Sequence, residues 1–406
     1  MIADTEKYIS FGTSTKLFPQ EEMLEIKKQK TNISIGVPKE TSFQEKRIAL
    51  VPDGVALLIQ NGHKVIMEAD AGKDAHFYDL EYNEAGANIV HSPEEVYKPD
   101  IVLKVAPPSY EEIEMLKSKQ TIISSLQFTA QNADFFKKLS SKKTTAIAFE
   151  YIKDKTNIYS VVRSMSEIAG NTSILIASEY LCHPEYGKGK MLGGFSGITP
   201  TDVIILGAGT VGEFATRAAM GLGASVKVFD DSIYKLRRLQ NNLNARIYTS
   251  IFQPKVLLKS LRTADVVIGA IHSPEGRTPC IVSEDMVQQM KFGAVIVDVS
   301  IDQGGCFETS HITNHAEPIF MKYGVVHYCV PNIASRVAHT ASYALSNIFA
   351  TILLKIAEEG GVEGILKNDS GVRNGLYLYN GILTNKTIGN YFNLPYQNID
   401  LLLAAF

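Results

Sequence analysis

An apolar run, Val203-Ile204-Ile205-Leu206, passes directly into Gly207-Ala208-Gly209-Thr210-Val211-Gly212 and a helix-forming segment, and the next apolar strand closes at Phe229-Asp230. No other stretch restricts the fold as much. A buried parallel strand can turn this abruptly into a helix when Gly207 allows a tight turn and Gly212 lets the helix pack on the strand. Gly209 meanwhile lets the backbone approach a pyrophosphate with no Cβ in the way. The helix N-terminus, with its unpaired N–H groups and dipole, favours an anion there. Asp230 lies at the distance where a carboxylate takes a ribose 2′-hydroxyl, and Asp231 beside it repels a 2′-phosphate. The stretch therefore reads as a dinucleotide clamp that prefers NAD(H) to NADP(H).

The rest of the chain fits an α/β protein. Its 406 residues suggest two or three domains, and 45% hydrophobic content is enough to fill their cores. A net charge of −3 with no basic block leaves no footprint for nucleic acid. Cys182, Cys280, Cys306 and Cys329 are scattered, without a CxxC pair, so neither a disulfide framework nor a metal site is indicated. No signal-peptide pattern and no bilayer-length apolar run is evident, so a cytoplasmic protein without membrane attachment is expected.

Residues 1–32 are polar and read as an added arm. Strands follow at residues 33–37, 64–67, 101–105, 121–124 and 145–149, alternating with helical stretches at 54–60, 110–117 and 130–139. Residues 164–181 have helical periodicity and join this unit to the clamp. The glycine-rich 187–197 segment lacks the GK[ST] ending of a phosphate loop and reads as a connection. Further strands are expected at 247–249, 265–268, 294–297 and 325–329, and residues 335–359 read as a long helix crossing back. The expected fold is α/β with two domains. A doubly wound Rossmann NAD domain (163–336) is inserted into a discontinuous α/β domain (33–162 and 337–406), flavodoxin-like or Rossmann-like, that takes the substrate.

Several segments in order carry a resemblance: Gly36-Val-Pro-Lys-Glu-Thr, Glu45-Lys-Arg47-Ile-Ala-Leu-Val-Pro52, Val102-Leu-Lys104-Val, Met165-Ser166-Glu-Ile-Ala-Gly170, the GAGTVG turn, and Val299-Ser-Ile301-Asp302-Gln-Gly-Gly-Cys-Phe-Glu308. From about residue 33 to the mid-350s the chain resembles the alanine dehydrogenase/transhydrogenase family. The resemblance implies reversible, NAD-dependent deamination of L-alanine to pyruvate and ammonium by a homo-oligomer, commonly a hexamer.

That chemistry needs a cation for the carboxylate, a donor to the oxo group and a group that passes protons. Arg47 can grip a carboxylate bidentately, as the matching family arginine does. Lys104, at the end of an apolar strand, is assigned the oxo group and its proton. Asp302 is assigned the orientation of water or ammonia and a contact with the nicotinamide ribose. Glu150, closing the strand before the long linker, is a candidate to orient Lys104 or Arg47. Ser166, Ile301, Val330 and Asn332 are expected near the nicotinamide half. Ile271 and His272, after the fourth strand of the second unit, are expected near the cofactor, and Lys235 near the adenine ribose.

One position departs from the family. Where its alanine dehydrogenases carry a pocket histidine, this chain has Gln127, which can hydrogen-bond but cannot exchange a proton near neutral pH. His272 and His339 are the histidines nominated to fill the gap, and His311 stands where the family has a basic residue. The alternatives left open are a relative acting on another amino or oxo acid, a transhydrogenase-like NAD(H) domain, and a non-catalytic NAD(H)-binding protein.

Overall fold

The computed structural model describes residues 30–273 and 276–404, so the N-terminal arm expected at 1–32 lies, but for its last three residues, outside the described residues. The chain builds two sheets. The first begins with β1 (Ser34–Val37), β2 (Lys64–Glu68), β3 (Asn88–Val90), β4 (Ile101–Leu103), β5 (Thr121–Ser124) and β6 (Thr145–Ala148). The second comprises β7 (Asp202–Leu206), β8 (Ser225–Phe229), β9 (Tyr248–Ser250), β10 (Val266–Gly269), β11 (Val295–Asp298), β12 (Ile319–Lys322) and β13 (Val325–Tyr328). The chain then returns to add β14 (Leu376–Tyr379) and β15 (Ile382–Leu383) to the first sheet.

The strand orders are β15-β14-β6-β5-β4-β1-β2-β3 and β12-β13-β11-β10-β7-β8-β9. Leaving aside the antiparallel additions β14, β15 and β12, both sheets carry the same parallel order, 3-2-1-4-5-6. The first sheet is thus Rossmann-like, not flavodoxin-like. Its central strands are buried on both faces, which is why they read as unbroken apolar runs. In such sheets ligands bind beyond the carboxyl ends of the strands, where the order reverses. Here that point lies between β1 and β4 in one sheet and between β7 and β10 in the other.

Two long helices join the halves. α1 (Ser160–Cys182) leads out of the first sheet and packs along α2 (Thr210–Gly221), the helix that follows the glycine turn. The approach is close: a Cβ on Gly170 would lie 2.5 Å from the Val211 carbonyl oxygen. α3 (Ala338–Glu358) leads back. Within the described residues, the segment Ile333–Glu358 is long and apolar enough to cross a bilayer, but Leu345, Phe349, Leu353 and Ile356 on it are buried in the core of the first sheet.

Candidate active site

Each glycine of the clamp meets a different steric demand. Gly207 sits at φ +108°, and a Cβ there would lie 2.3 Å from the Ala270 carbonyl oxygen. A Cβ on Gly212 would lie 1.9 Å from the Gly207 carbonyl oxygen, so the helix can pack on the turn only without one. Around Gly209 a Cβ would meet nothing within 4 Å. That open space lies at the N-cap of α2, ahead of Thr210 and Val211, and has the form that a diphosphate approaching helix N–H groups requires.

The Asp230 carboxylate is buried and already half committed: Oδ2 accepts the Ala208 N–H at 2.8 Å, and Oδ1 accepts that of Ser232 at 2.8 Å. It therefore holds the glycine turn in place and keeps lone pairs for a ribose. Lys235 Nζ stands 4.0 Å from it. At the other end of this surface the Ile271 N–H donates to Ser300 Oγ, His272 is exposed and Val330 is buried. Asn332, in the left-handed region at φ +54°, donates its N–H to Asp302 Oδ1 at 2.8 Å. Burial raises the Asp302 carboxyl, opposed by that N–H and by the Arg47 charge.

The turn bearing Ile301 and Asp302 is organised by a residue that sequence reasoning missed. Asp298 accepts the N–H groups of Ser300 and Cys306 and the Ser310 hydroxyl, while burial pushes its carboxyl up to about 6.

In the first sheet Lys104 follows β4, and its side chain is 0% exposed. An ammonium can be buried so completely only with counter-charge. Glu112 Oε1, at 2.5 Å, supplies it, and a second carboxyl group, Glu40, stands with Oε2 3.7 Å away. Glu112 does double duty, because it also closes a capping box in which its Oε2 accepts the Ser109 N–H and Ser109 Oγ accepts its own N–H. That Ser-x-x-Glu spacing was the one sequence signal that could have nominated it. Glu40 accepts the N–H groups of Val105 at 2.6 Å and Ala106 at 3.2 Å. Burial raises its carboxyl to about 7, against the attraction of Lys104.

Arg47 is held by Glu45. Nε donates to Glu45 Oε1 at 2.8 Å and Nη2 to Oε2 at 2.6 Å, which occupies the side edge of the guanidinium. The end edge, with Nη1 3.4 Å from Met165 Sδ, is left for a second bidentate partner. Burial would raise the Glu45 carboxyl, but Arg47 outweighs it and holds the group below the ordinary carboxylate range. Glu45 Oε2 also accepts from Asn332 Nδ2 at 3.0 Å, so the Arg47 loop touches the second half of the molecule directly. Three serines secure the same loop: Ser335, Ser342 and Ser346 accept the N–H groups of Lys46, Ile48 and Val51.

Glu150 corrects an expectation. Its Oε1 accepts the N–H groups of Leu126 and Gln127, at 2.7 and 3.2 Å, and bonds neither Lys104 nor Arg47, whose partners are Glu112, Glu40 and Glu45. What it fixes is the turn that puts Gln127 at φ +47° with its side chain exposed. Ser166 is half-buried on α1, next to Met165. Of the histidines, His339 is committed elsewhere, with Nδ1 2.8 Å from the Ala75 carbonyl oxygen and its ring stacked on Phe77, and His311 stacks on Phe320.

The profile of the alanine dehydrogenase/PNT C-terminal domain matches residues 173–386, and that of the N-terminal domain residues 36–169. The chain belongs to the alanine dehydrogenase/PNT family. Among its relatives, the alanine dehydrogenase of Staphylococcus saprophyticus is 37% identical over 90% of this chain and 98% of its own length. That of Bacillus subtilis is 38% identical over 89% and 95%. A solved L-alanine dehydrogenase superposes with a TM-score of 0.83 at 35% identity, covering 89% of this chain and 99% of the other. A transhydrogenase from Sinorhizobium meliloti shares the fold at 24% identity, with a TM-score of 0.75 over 87% and 99%. The family's two domains thus meet in this chain across the contact of Glu45 with Asn332.

Proposed function

We propose that this chain is an NAD-dependent alanine dehydrogenase, which converts L-alanine, NAD⁺ and water into pyruvate, ammonium, NADH and a proton, reversibly. The observation that carries the reading is the chain of contacts from Arg47 through Glu45 and Asn332 to Asp302, which joins an anion-binding cation to the cofactor half of the molecule. The open space at Gly209 and the buried Asp230 suit a dinucleotide with a free 2′-hydroxyl. When bound, the nicotinamide takes up or gives the hydride exchanged with the substrate Cα.

The chain's own residues divide the remaining work. The end edge of Arg47 grips the carboxylate, Lys104 donates to the oxo oxygen, and Asp302 orients water or ammonia. Gln127 adds hydrogen bonds but no proton. Paired with Glu112, Lys104 is held where it can donate the hydrogen bond that polarises a carbonyl. From the family resemblance we also propose a cytoplasmic homo-oligomer, with a hexamer favoured.

The test is NADH oxidation with ammonium and a panel of 2-oxo acids. Turnover of pyruvate in preference to larger acids, lost in Lys104→Ala, is expected. NADH binding with no turnover of any acid would overturn the reading in favour of a non-catalytic NAD(H)-binding protein.

A further inference from the structure

Two carboxylates face one ammonium at Lys104, and they are not equivalent. Glu112 lies at hydrogen-bond distance from Nζ, and its other oxygen is tied to the Ser109 N–H in the capping box. It is a fixed counter-ion that balances the lysine's charge. Glu40 Oε2 stands 3.7 Å from Nζ, beyond a hydrogen bond, while its two oxygens accept the N–H groups of Val105 and Ala106; it shares Lys104 with Glu112 and has no second cation at ion-pair distance among the described residues. The other groups around it are Glu45 and Arg47, paired with each other on the same loop, and the Tyr97 hydroxyl. Asp302 reaches this set through the field at Arg47. A buried carboxyl beside an ammonium that is already neutralised keeps its proton into the neutral range, as burial does here for Glu40.

Gln127 cannot exchange a proton, so the position that the family fills with a histidine supplies no acid or base here. We propose that Glu40 is the proton-relay group of this site, passing a proton to and from Lys104 in the role that the family's pocket histidine holds and Gln127 cannot. The proposal rests on the alanine dehydrogenase reading.

In the amination direction the ammonia lone pair forms the C–N bond to C2 of the oxo acid, and the C=O π pair moves onto oxygen. Oxygen takes a proton from the Lys104 ammonium, and the Lys104 amine is reprotonated from the Glu40 carboxyl. The added nitrogen releases its extra proton to water, which returns it to the Glu40 carboxylate. The neutral carbinolamine remains, with lysine and glutamate restored. The 3.7 Å between Glu40 Oε2 and Lys104 Nζ has to shorten by about 0.8 Å for direct transfer, or be bridged by one water.

The experiment compares wild type, Glu40→Gln, Gln127→His and the double variant, following kcat against pH at saturating pyruvate, ammonium and NADH. Glu40→Gln is expected to lose about 100-fold or more in kcat, to keep its NADH affinity and to lose the limb of the profile near pH 7. The double variant is expected to recover about tenfold or more, because an imidazole restores an exchangeable proton. NADH binding reports folding. If Glu40→Gln does not fold, Glu40→Asp serves instead, expected to drop about tenfold in kcat while keeping a shifted limb.

A Glu40→Gln enzyme within about threefold of wild type, or with the limb unmoved, overturns the relay. The two failures are distinguishable. A wild type that turns over no 2-oxo acid removes the alanine dehydrogenase reading and the relay with it, whereas active wild type beside an unaffected Glu40→Gln removes the relay alone.

Discussion

Replacing Gly209 by alanine adds one methyl group where nothing lies within 4 Å and where the backbone, at φ −76° and ψ −167°, is ordinary for any residue. Folding therefore meets no clash. The unfolded chain loses freedom, so stability should rise by about 0.4–1 kcal/mol, or about 1–4 °C in Tm. The methyl group nevertheless fills the space through which a pyrophosphate would reach the N-terminus of the helix Thr210–Gly221. Hydrogen bonds to a charged group contribute about 1.5–3 kcal/mol each. Losing two weakens NADH binding by about 3–6 kcal/mol, or roughly 10²- to 10⁴-fold in Kd.

Gly212→Ala is the contrasting case. Its Cβ would lie 1.9 Å from the Gly207 carbonyl oxygen, so the helix must shift, at about 1–3 kcal/mol of stability. Thermal denaturation and titration of NADH fluorescence on both variants give the four quantities. A Gly209→Ala protein that binds NADH within about threefold of wild type, or that melts earlier than wild type, would refute the reasoning.

Other perturbations probe the opposite half. Glu45→Ala frees the side edge of Arg47 and should raise KM for pyruvate about tenfold or more with kcat little changed, since the interaction serves ground and transition states alike; steady-state kinetics with an unchanged KM would sink it. Lys104→Met leaves the Glu112 carboxylate buried without its cation and should cost about 3–5 kcal/mol at neutral pH in urea denaturation. Adding Glu112→Leu should recover much of that loss, and a single variant as stable as wild type would count against a paired buried lysine. The Glu40 carboxyl, at about 7 when folded against an ordinary 4.5, keeps a proton in the folded chain that the unfolded chain has released. This is the reverse of the usual carboxylate case: its contribution to stability falls as pH rises from about 4.5 to 7, by up to about 3 kcal/mol. The difference between wild type and Glu40→Gln across that window, read by calorimetry, should show the slope, and a flat difference would contradict it.

The buried strands were legible in the sequence, because burial on both faces removes most polar positions: residues 121–124 coincide with β5 and the run ending at Leu206 with β7, while β8, ending at Phe229, alternates half-buried Ser225 and Lys227 with buried apolar residues. Other strands, Asn88–Val90 and Leu376–Tyr379 among them, were not. Asn88–Val90 is three residues long, and Leu376–Tyr379 lies beyond residue 359, where no strand is expected from the sequence. That segment becomes a buried strand only because β6 and β15 pair with it from either side, a tertiary fact without local signature.

The site divides in a similar way. Gly207, Lys104 and Asp302 stand out because strand ends and turns mark them. Glu45 and Asp298 act as partners to other groups, and a carboxylate's partner is set by the fold. For the same reason Glu150 reads from the sequence as a candidate to orient Lys104 or Arg47, although its Oε1 accepts the backbone N–H groups of the Gln127 turn.

The three serines that hold the Arg47 loop have a consequence for the order in which the molecule is made. They accept N–H groups from residues 289, 294 and 295 positions away in the chain, across the whole of the second sheet. The loop therefore cannot take its final shape on the ribosome until Ser346 has emerged, long after β1 is complete. Contacts of such separation are slow to close, which makes the Arg47 loop among the last parts of the molecule to mature. A fragment covering residues 36–169, though it corresponds to a family domain, would carry Arg47 on a loop with no acceptors for three of its N–H groups.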